Sequence, residues 1–338
     1  MARNRVLLRG LMARGIKIIE CVDDSSSWRK LVRLVIKHRR IKGTYDFILV
    51  GYLSNLVVPL ARLISSKKVV YNALASMYEG AVLDRNKYSW WSYRRYFIWL
   101  IDFLAFHFAH LVLVESEEQK KFLRRKFLIP ARKMAVLFTG ADDSIFYPDP
   151  SVVKQKIFTA LFRGWFVPAT GVEYVLQAAA RLKNEAINFR LIGRGPLTTR
   201  VKEMIQTLEL SKVELITEFL SEDELRRQML SCQISLGQFS NHSRLDRTIQ
   251  NKTFETLALG LPYITRDSRS NRKLLADGKN CLFVKPADSA DLAEKILKLK
   301  NDDSLRDHLS QNGLALYQEK LIPTAIANQF LRIISGKL

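Results

Sequence analysis

Lys252 and Glu255 stand three residues apart in a helix-period segment that runs from Lys252 to Leu259 and is closed by Gly260 and Pro262. A helix N-terminus offers unpaired N–H groups and a partial positive charge, which makes it a seat for phosphate. Lys252 in that first turn, and Arg247 on the polar loop before it, would each add a charge-assisted bond to a diphosphate. Asn251 marks the junction of loop and helix. Glu255 only accepts hydrogen bonds, so it suits the two neighbouring hydroxyls of a ribose. A glutamate early in a helix is also explained by the helix dipole alone, an effect of about 0.3–1 kcal/mol.

Two further stretches carry the same chemistry. In Phe189–Val201 a strand runs into Gly193 and Gly195, with Pro196 at a first helical position. Glycines there let backbone approach a ligand, although a plain tight turn reads the same way. In Leu161–Leu176 a strand ends at Arg163 and Gly164, and Gly171 opens a helix. Arg163 is either aimed into a cleft or facing solvent. No catalytic residue is identified. Glu79 and Asp84, on the loop after the strand at Lys68–Asn72, are the nearest carboxylates. Cys21, Cys232 and Cys281 are far apart, with no C-x-x-C and no histidine at ligand spacing. Neither a disulfide framework nor a metal site is expected, and no cofactor.

The elements that must position these residues alternate regularly. Strands are expected at Ile16–Cys21, Phe47–Gly51, Lys68–Asn72, His110–Val114 and Met134–Phe138, with helices at Asn4–Ala13, Trp28–Arg39, Ser54–Ile64, Ser92–Ala109 and Ser116–Phe127. Gly140–Ser151, with two prolines and three aspartates, reads as a linker. Strands resume at Ile157–Leu161, Phe189–Ile192, Val213–Ile216, Ile234–Leu236, Tyr263–Thr265 and Cys281–Val284. Helices are expected between them at Gly171–Leu182, Thr198–Leu208, Glu222–Met229, Lys252–Leu259, Asn271–Ala276 and Ser289–Leu299, with a last one at Pro323–Ile334. Buried strands alternating with helices give two α/β domains with doubly wound parallel sheets, which bind ligands at the carboxyl ends of their strands. A doubly wound domain normally opens on a strand, whereas this chain opens on a helix. The first strand and its loop are therefore expected to be missing.

In their order these stretches resemble a GT-B-fold glycosyltransferase of the large retaining class called family 4. Gly193-Arg194-Gly195-Pro196 resembles that family's G-x-G-P turn, and Gly171-Val172-Glu173 its loop-to-helix element. The most specific match is Asn251-Lys252-Thr253-Phe254-Glu255 with Ala258-Leu259-Gly260-Leu261-Pro262, similar to the donor-binding helix. The resemblance implies two facing Rossmann-like domains: an acceptor-side domain over 1–148, a nucleotide-sugar domain over 149–322, and a helix over 323–338 crossing back. It implies a nucleotide-diphospho-sugar donor, with Glu255 on the ribose and Lys252 and Arg247 near the diphosphate. Transfer would go to a saccharide or lipid-linked acceptor, with retention and without a metal. Where the family usually carries a glutamate eight positions before Glu255, this chain has Arg247.

Charge points to a polyanionic partner. The chain has 54 basic and 33 acidic residues, and residues 1–150 alone hold 26 against 13. Trp28–Lys42 sets an apolar stripe against Arg29, Lys30, Arg33, Lys37, Arg39 and Arg40, and Lys87–Trp99 sets three tryptophans and three tyrosines beside two arginines. Such pairings suit an anionic membrane surface or, alternatively, single-stranded nucleic acid. An ordinary helix with a wet basic face reads the same way. Nucleic-acid binding or glycosylation, and an inactive sugar-nucleotide scaffold, are the rival functions. Tyr96–Val114 is apolar but includes Asp102, His107 and His110, and reads as a buried helix running into a buried strand rather than a membrane span. The basic, amphipathic start lacks the apolar core of a secretory signal. A cytoplasmic protein, peripheral on the inner face of the plasma membrane, is expected.

Overall fold

The computed structural model describes residues 2–25, 29–84 and 87–337. Trp28, at the head of an expected helix, lies outside them. The chain divides into two units, Arg3–Phe138 with Pro323–Leu338, and Thr139–Ile322.

The first unit is built from α1 (Ala2–Ala13), α2 (Lys30–Ile41), β1 (Phe47–Val50), α3 (Val57–Ile64), β2 (Lys68–Leu74), α4 (Tyr93–Phe108), β3 (Leu111–Val114), α5 (Glu117–Phe127) and β4 (Met134–Val136), joined by the C-terminal helix Pro323–Lys337. Its four strands pair in parallel and lie in chain order. Right-handed crossovers between strands laid in sequence put every connecting helix on one face. That face buries Val58 and Ala61 of α3, Ala105 and Phe106 of α4, and Leu123 and Phe127 of α5 against Tyr71, Val112 and Val114. The opposite face is covered by Val6, Leu7 and Leu11 of α1 and by Ile326, Ala327 and Phe330 of the C-terminal helix. Helix α5 shows how local chemistry sets the limits. Ser116 Oγ accepts the Gln119 N–H at 3.0 Å, Glu117 and Glu118 occupy the first turn, and Arg124, Arg125 and Lys126 the last.

The second unit holds β5 (Phe158–Arg163), α6 (Val172–Arg181), β6 (Ile187–Ile192), α7 (Thr198–Thr207), β7 (Val213–Ile216), α8 (Glu222–Leu230), β8 (Ile234–Leu236), α9 (Asn251–Ala258), β9 (Tyr263–Arg266), β10 (Leu282–Val284), α10 (Ser289–Asn301) and α11 (Asp303–Lys320). The sheet is parallel, in the order β10-β9-β8-β5-β6-β7. Strand order reverses at β5, and a doubly wound sheet opens a ligand crevice beyond the carboxyl ends at such a reversal. Phe162, Phe189 and Leu236 are buried under Val175 and Leu176 of α6 and Leu292 and Ile296 of α10. Each such side chain contributes about 1.5–3 kcal/mol when taken fully out of water.

Two expectations are corrected, and one helix is added. Ile16–Cys21 is irregular chain rather than a strand. Its Ile16 and Ile18 pack on the core beside α1 and pair with no strand among the described residues, so apolar alternation there reports burial and not a ladder. The helix expected at Asn271–Ala276 is a single 3-10 turn, Asn271–Lys273. Asn271 Nδ2 donates to the Arg266 carbonyl and Asn280 Oδ1 accepts the Ala276 N–H, so side chains satisfy backbone that a helix would have used. Helix α11 was not anticipated; its Gly313 lies against Leu257 of α9, where a Cβ would meet Leu257 Cδ2 at 3.0 Å. Among the described residues no helix is long and apolar enough to cross a membrane.

Candidate functional site

The carboxyl edge of the second sheet brings together Arg163, Gly164, Gly193, Lys252 and Glu255. Arg163 is the last residue of β5, and its Nη2 is ion-paired with Oε2 of Glu255 in the second turn of α9. The arginine is thus buried toward the site, not facing solvent. Burial brings its pKa down to about 10, against a smaller opposing effect of Tyr263. Its buried Nε has no hydrogen-bond partner among the described residues.

Lys252 is buried at the second position of α9. A cation there opposes the helix dipole, so local stability does not explain it. Its Nζ donates to the Gly237 carbonyl at 3.2 Å and lies 4.2 Å from the centre of the Phe162 ring. Burial, and next the charge of Arg163, hold its pKa well below the ordinary lysine value. An ammonium has three donors, and among the described residues one is used. Two cations therefore share a desolvated corner with one carboxylate, an excess that an anion would neutralise. The N-cap residue Gln250 makes no side-chain cap bond to α9.

The glycines shape the approach. A Cβ on Gly193 would lie 1.9 Å from the Gly164 carbonyl oxygen, so the loops after β5 and β6 touch backbone to backbone. Gly164 has φ +140°, and a Cβ there would start 3.4 Å from Lys252 Nζ. Gly195 is packed in the same manner on the backbone of Phe166. These are close approaches, not a plain tight turn.

Arg247 stays half-buried on its own loop, with Nη1 donating to the Ser243 carbonyl at 3.2 Å. Asn251 is exposed at the start of α9. Arg266, which ends β9, escaped the sequence reading. It is buried, donates to the carbonyls of Ser240 and His242, and pairs with Asp246 Oδ1 at 2.7 Å. It pins the loop that carries Arg247, and the only signal was a charged residue closing an apolar strand. In the first unit Glu79 and Asp84 form a single π-helical turn instead of a loop. Glu79 is fully buried, with Oε2 accepting from Gln119 Nε2 at 2.7 Å, the environment of a structural acceptor. Among the described residues no group of three or more His, Cys, Asp or Glu side chains is placed to hold a metal.

The family model for glycosyl transferases group 1 matches residues 145–315, just over half of the chain. The chain belongs to this family. The match includes every element of the Arg163–Lys252–Glu255 corner. Among curated relatives, an alpha-D-kanosaminyltransferase of Streptomyces kanamyceticus is 25% identical over 67% of this chain and 60% of its own length. A capsular polysaccharide biosynthesis glycosyltransferase, CapM of Staphylococcus aureus, is 24% identical over 72% of this chain and 68% of its own. The chain spans 60%, 47% and 50% of the length of three relatives it matches. Among solved structures, HepE of Anabaena in complex with UDP superposes with a TM-score of 0.72 at 17% identity, covering 96% of this chain and 88% of that one. Sucrose-phosphate synthase of Thermosynechococcus elongatus gives 0.72 at 18%, covering 95% and 80%. This group 1 chain has the GT-B fold, two parallel-sheet α/β units.

Proposed function

We propose that the chain transfers a glycosyl group from a nucleotide-diphospho-sugar to a saccharide or lipid-linked acceptor, with retention of configuration. The observation that carries this reading is the buried corner in which Lys252 and Arg163 outnumber Glu255. The diphosphate sits at the N-terminus of α9 against Lys252, with Arg247 reaching it from the pinned loop. Glu255, oriented by Arg163, accepts the ribose hydroxyls. As the glycosyl bond breaks, charge grows on the leaving diphosphate, and fixed cations plus helix N–H groups stabilise it without rearranging. HepE has been crystallised with UDP and with UDP-glucose, which makes a uridine diphospho-sugar the first donor to try. The acceptor is presented at an anionic membrane surface by the basic first half.

A thermal-shift panel of uridine, guanosine and adenosine diphospho-sugars tests the reading. One donor raises the melting temperature of the chain, and Glu255→Ala and Lys252→Ala each abolish that rise. A Glu255→Ala chain that binds the donor with unchanged affinity overturns the assignment.

A further inference from the structure

We propose that the outward face of α4, together with Trp90 and Trp91 ahead of it, is a docking surface that lies flat on an anionic bilayer. The inference deepens the proposed presentation of an acceptor at an anionic membrane, naming the surface that docks, and its test does not depend on the donor site.

Helix α4 reads Tyr93-Arg94-Arg95-Tyr96-Phe97-Ile98-Trp99-Leu100-Ile101-Asp102-Phe103-Leu104-Ala105-Phe106-His107-Phe108 and is apolar nearly all round. A helix of that composition belongs in a core. Its inward face obeys the rule, with Ile101, Asp102, Ala105 and Phe106 buried. The outward face does not: Tyr93 is 74% exposed, Phe97 58% and Leu100 45%, and Leu104 continues the row. These positions are four, three and four apart, one continuous stripe about 16 Å long at 1.5 Å per residue. Trp91 is 85% exposed, and Trp90, edge-on to it with ring centroids 5.5 Å apart, is exposed as well. The fold explains why none of the described residues covers the stripe. Strands in chain order place α3, α4 and α5 in a single layer, with α4 in the middle.

Charge selects the occupant. Residues 87–114 contain Lys87, Arg94 and Arg95 and one carboxylate, Asp102, which is buried. Neighbouring α5 exposes Arg124 and Arg125. A second copy of this chain would bring the same positive rim onto itself, whereas phospholipid headgroups of negative charge complement it. At sixteen residues α4 is too short to span a bilayer, but tryptophan and tyrosine beside arginine are at home at the headgroup level.

The test is co-sedimentation of the full chain with vesicles of phosphatidylglycerol and phosphatidylcholine, against phosphatidylcholine alone. The chain binds the anionic vesicles, and added salt weakens binding. Trp90→Ser/Trp91→Ser/Phe97→Ser/Leu100→Ser lowers that affinity roughly a hundredfold or more, since four apolar anchors are withdrawn, while its circular dichroism melt matches the parent. Brominated lipids quench the tryptophan fluorescence of the parent chain. Trp90→Phe/Trp91→Phe keeps the apolar bulk, so it still binds vesicles but loses most of the quenching. The proposal is overturned if the parent stays in the supernatant, if the fourfold variant binds equally well, or if the parent ignores vesicles yet binds single-stranded oligonucleotide or forms dimers that the same substitutions dissolve.

Discussion

Arg163 and Glu255 are joined across the carboxyl edge of the second sheet, one ending β5 and the other in the second turn of α9. The pair locks helix to strand and aims a carboxylate at the crevice. Removing one partner of a fully buried pair costs about 3–5 kcal/mol, and replacing both by apolar residues costs far less. Here the two side chains keep 14% and 12% exposure, which lets in some water. Glu255→Ala therefore destabilises the chain by about 2–3 kcal/mol, and Arg163→Met/Glu255→Leu recovers most of that. Urea unfolding of the two variants and the parent checks the order. A double variant less stable than Glu255→Ala would show that the pair is not the lock.

Lys252 makes the donor site pH-dependent. Its pKa in the folded chain lies well below the ordinary lysine value of 10.5, through burial and then Arg163. Between those two values the unfolded chain holds more protons on this residue than the folded one, so stability rises with pH across the window. Lys252→Met removes that slope. A bound diphosphate restores the charged ammonium, so binding takes up protons in the same window and affinity falls as pH rises through it. Titration calorimetry in two buffers of different ionisation enthalpy reads the uptake; equal heats in both would refute it.

The alternation of strands and helices was legible because most buried parallel strands are continuous apolar runs, and ten of the eleven expected ones form. The site was legible where one segment carries it: Lys252 and Glu255 announce themselves by spacing. Arg163 needed the fold, since its partner is ninety-two residues away and only the β5–α9 geometry joins them. Arg266 gave almost no signal, because its work is to hold a loop. Ile16–Cys21 misled because packing on α1 imitates the pattern of pairing, and α11 was hidden by a glycine, Gly313, that serves close contact with α9.

In the first unit Asp102 sets an opposite pH dependence. It is buried on α4, where its carboxylate accepts the Tyr78 N–H at 2.7 Å and an amide hydrogen of Asn55. Burial raises its pKa from 3.8 to about 7, outweighing those hydrogen bonds. From 3.8 to about 7 the folded chain holds the extra proton, so this residue's stabilisation is full below 3.8 and is lost as pH rises through 7. The loss amounts to about 4 kcal/mol at 1.36 kcal/mol per unit. Asp102→Asn keeps an acceptor and does not titrate. The difference in urea midpoint between parent and variant should therefore move with pH from acid to mildly alkaline solution, and a constant difference would exclude the effect.

Gly193 and Gly278 separate two reasons for a glycine. At Gly278, φ is +69° and the space around a Cβ is open, so alanine there pays only for the left-handed backbone, about 1–2 kcal/mol. At Gly193 the obstacle is the Gly164 carbonyl oxygen, 1.9 Å from where the Cβ would be, and that oxygen belongs to backbone that cannot swing aside as a side chain would. The loop after β5 must retreat, although the Gly164 N–H is held at 2.9 Å by the Ile192 carbonyl. Gly193→Ala therefore costs about 2–4 kcal/mol, at the upper end of overpacking. Because Gly164 borders Lys252 Nζ, the shift also reaches the proposed diphosphate seat. Gly193→Ala should weaken donor binding in a folded chain, whereas Gly278→Ala lowers stability and leaves donor affinity as it was. Equal donor affinity in both variants would mean that the contact between the two loops serves packing alone.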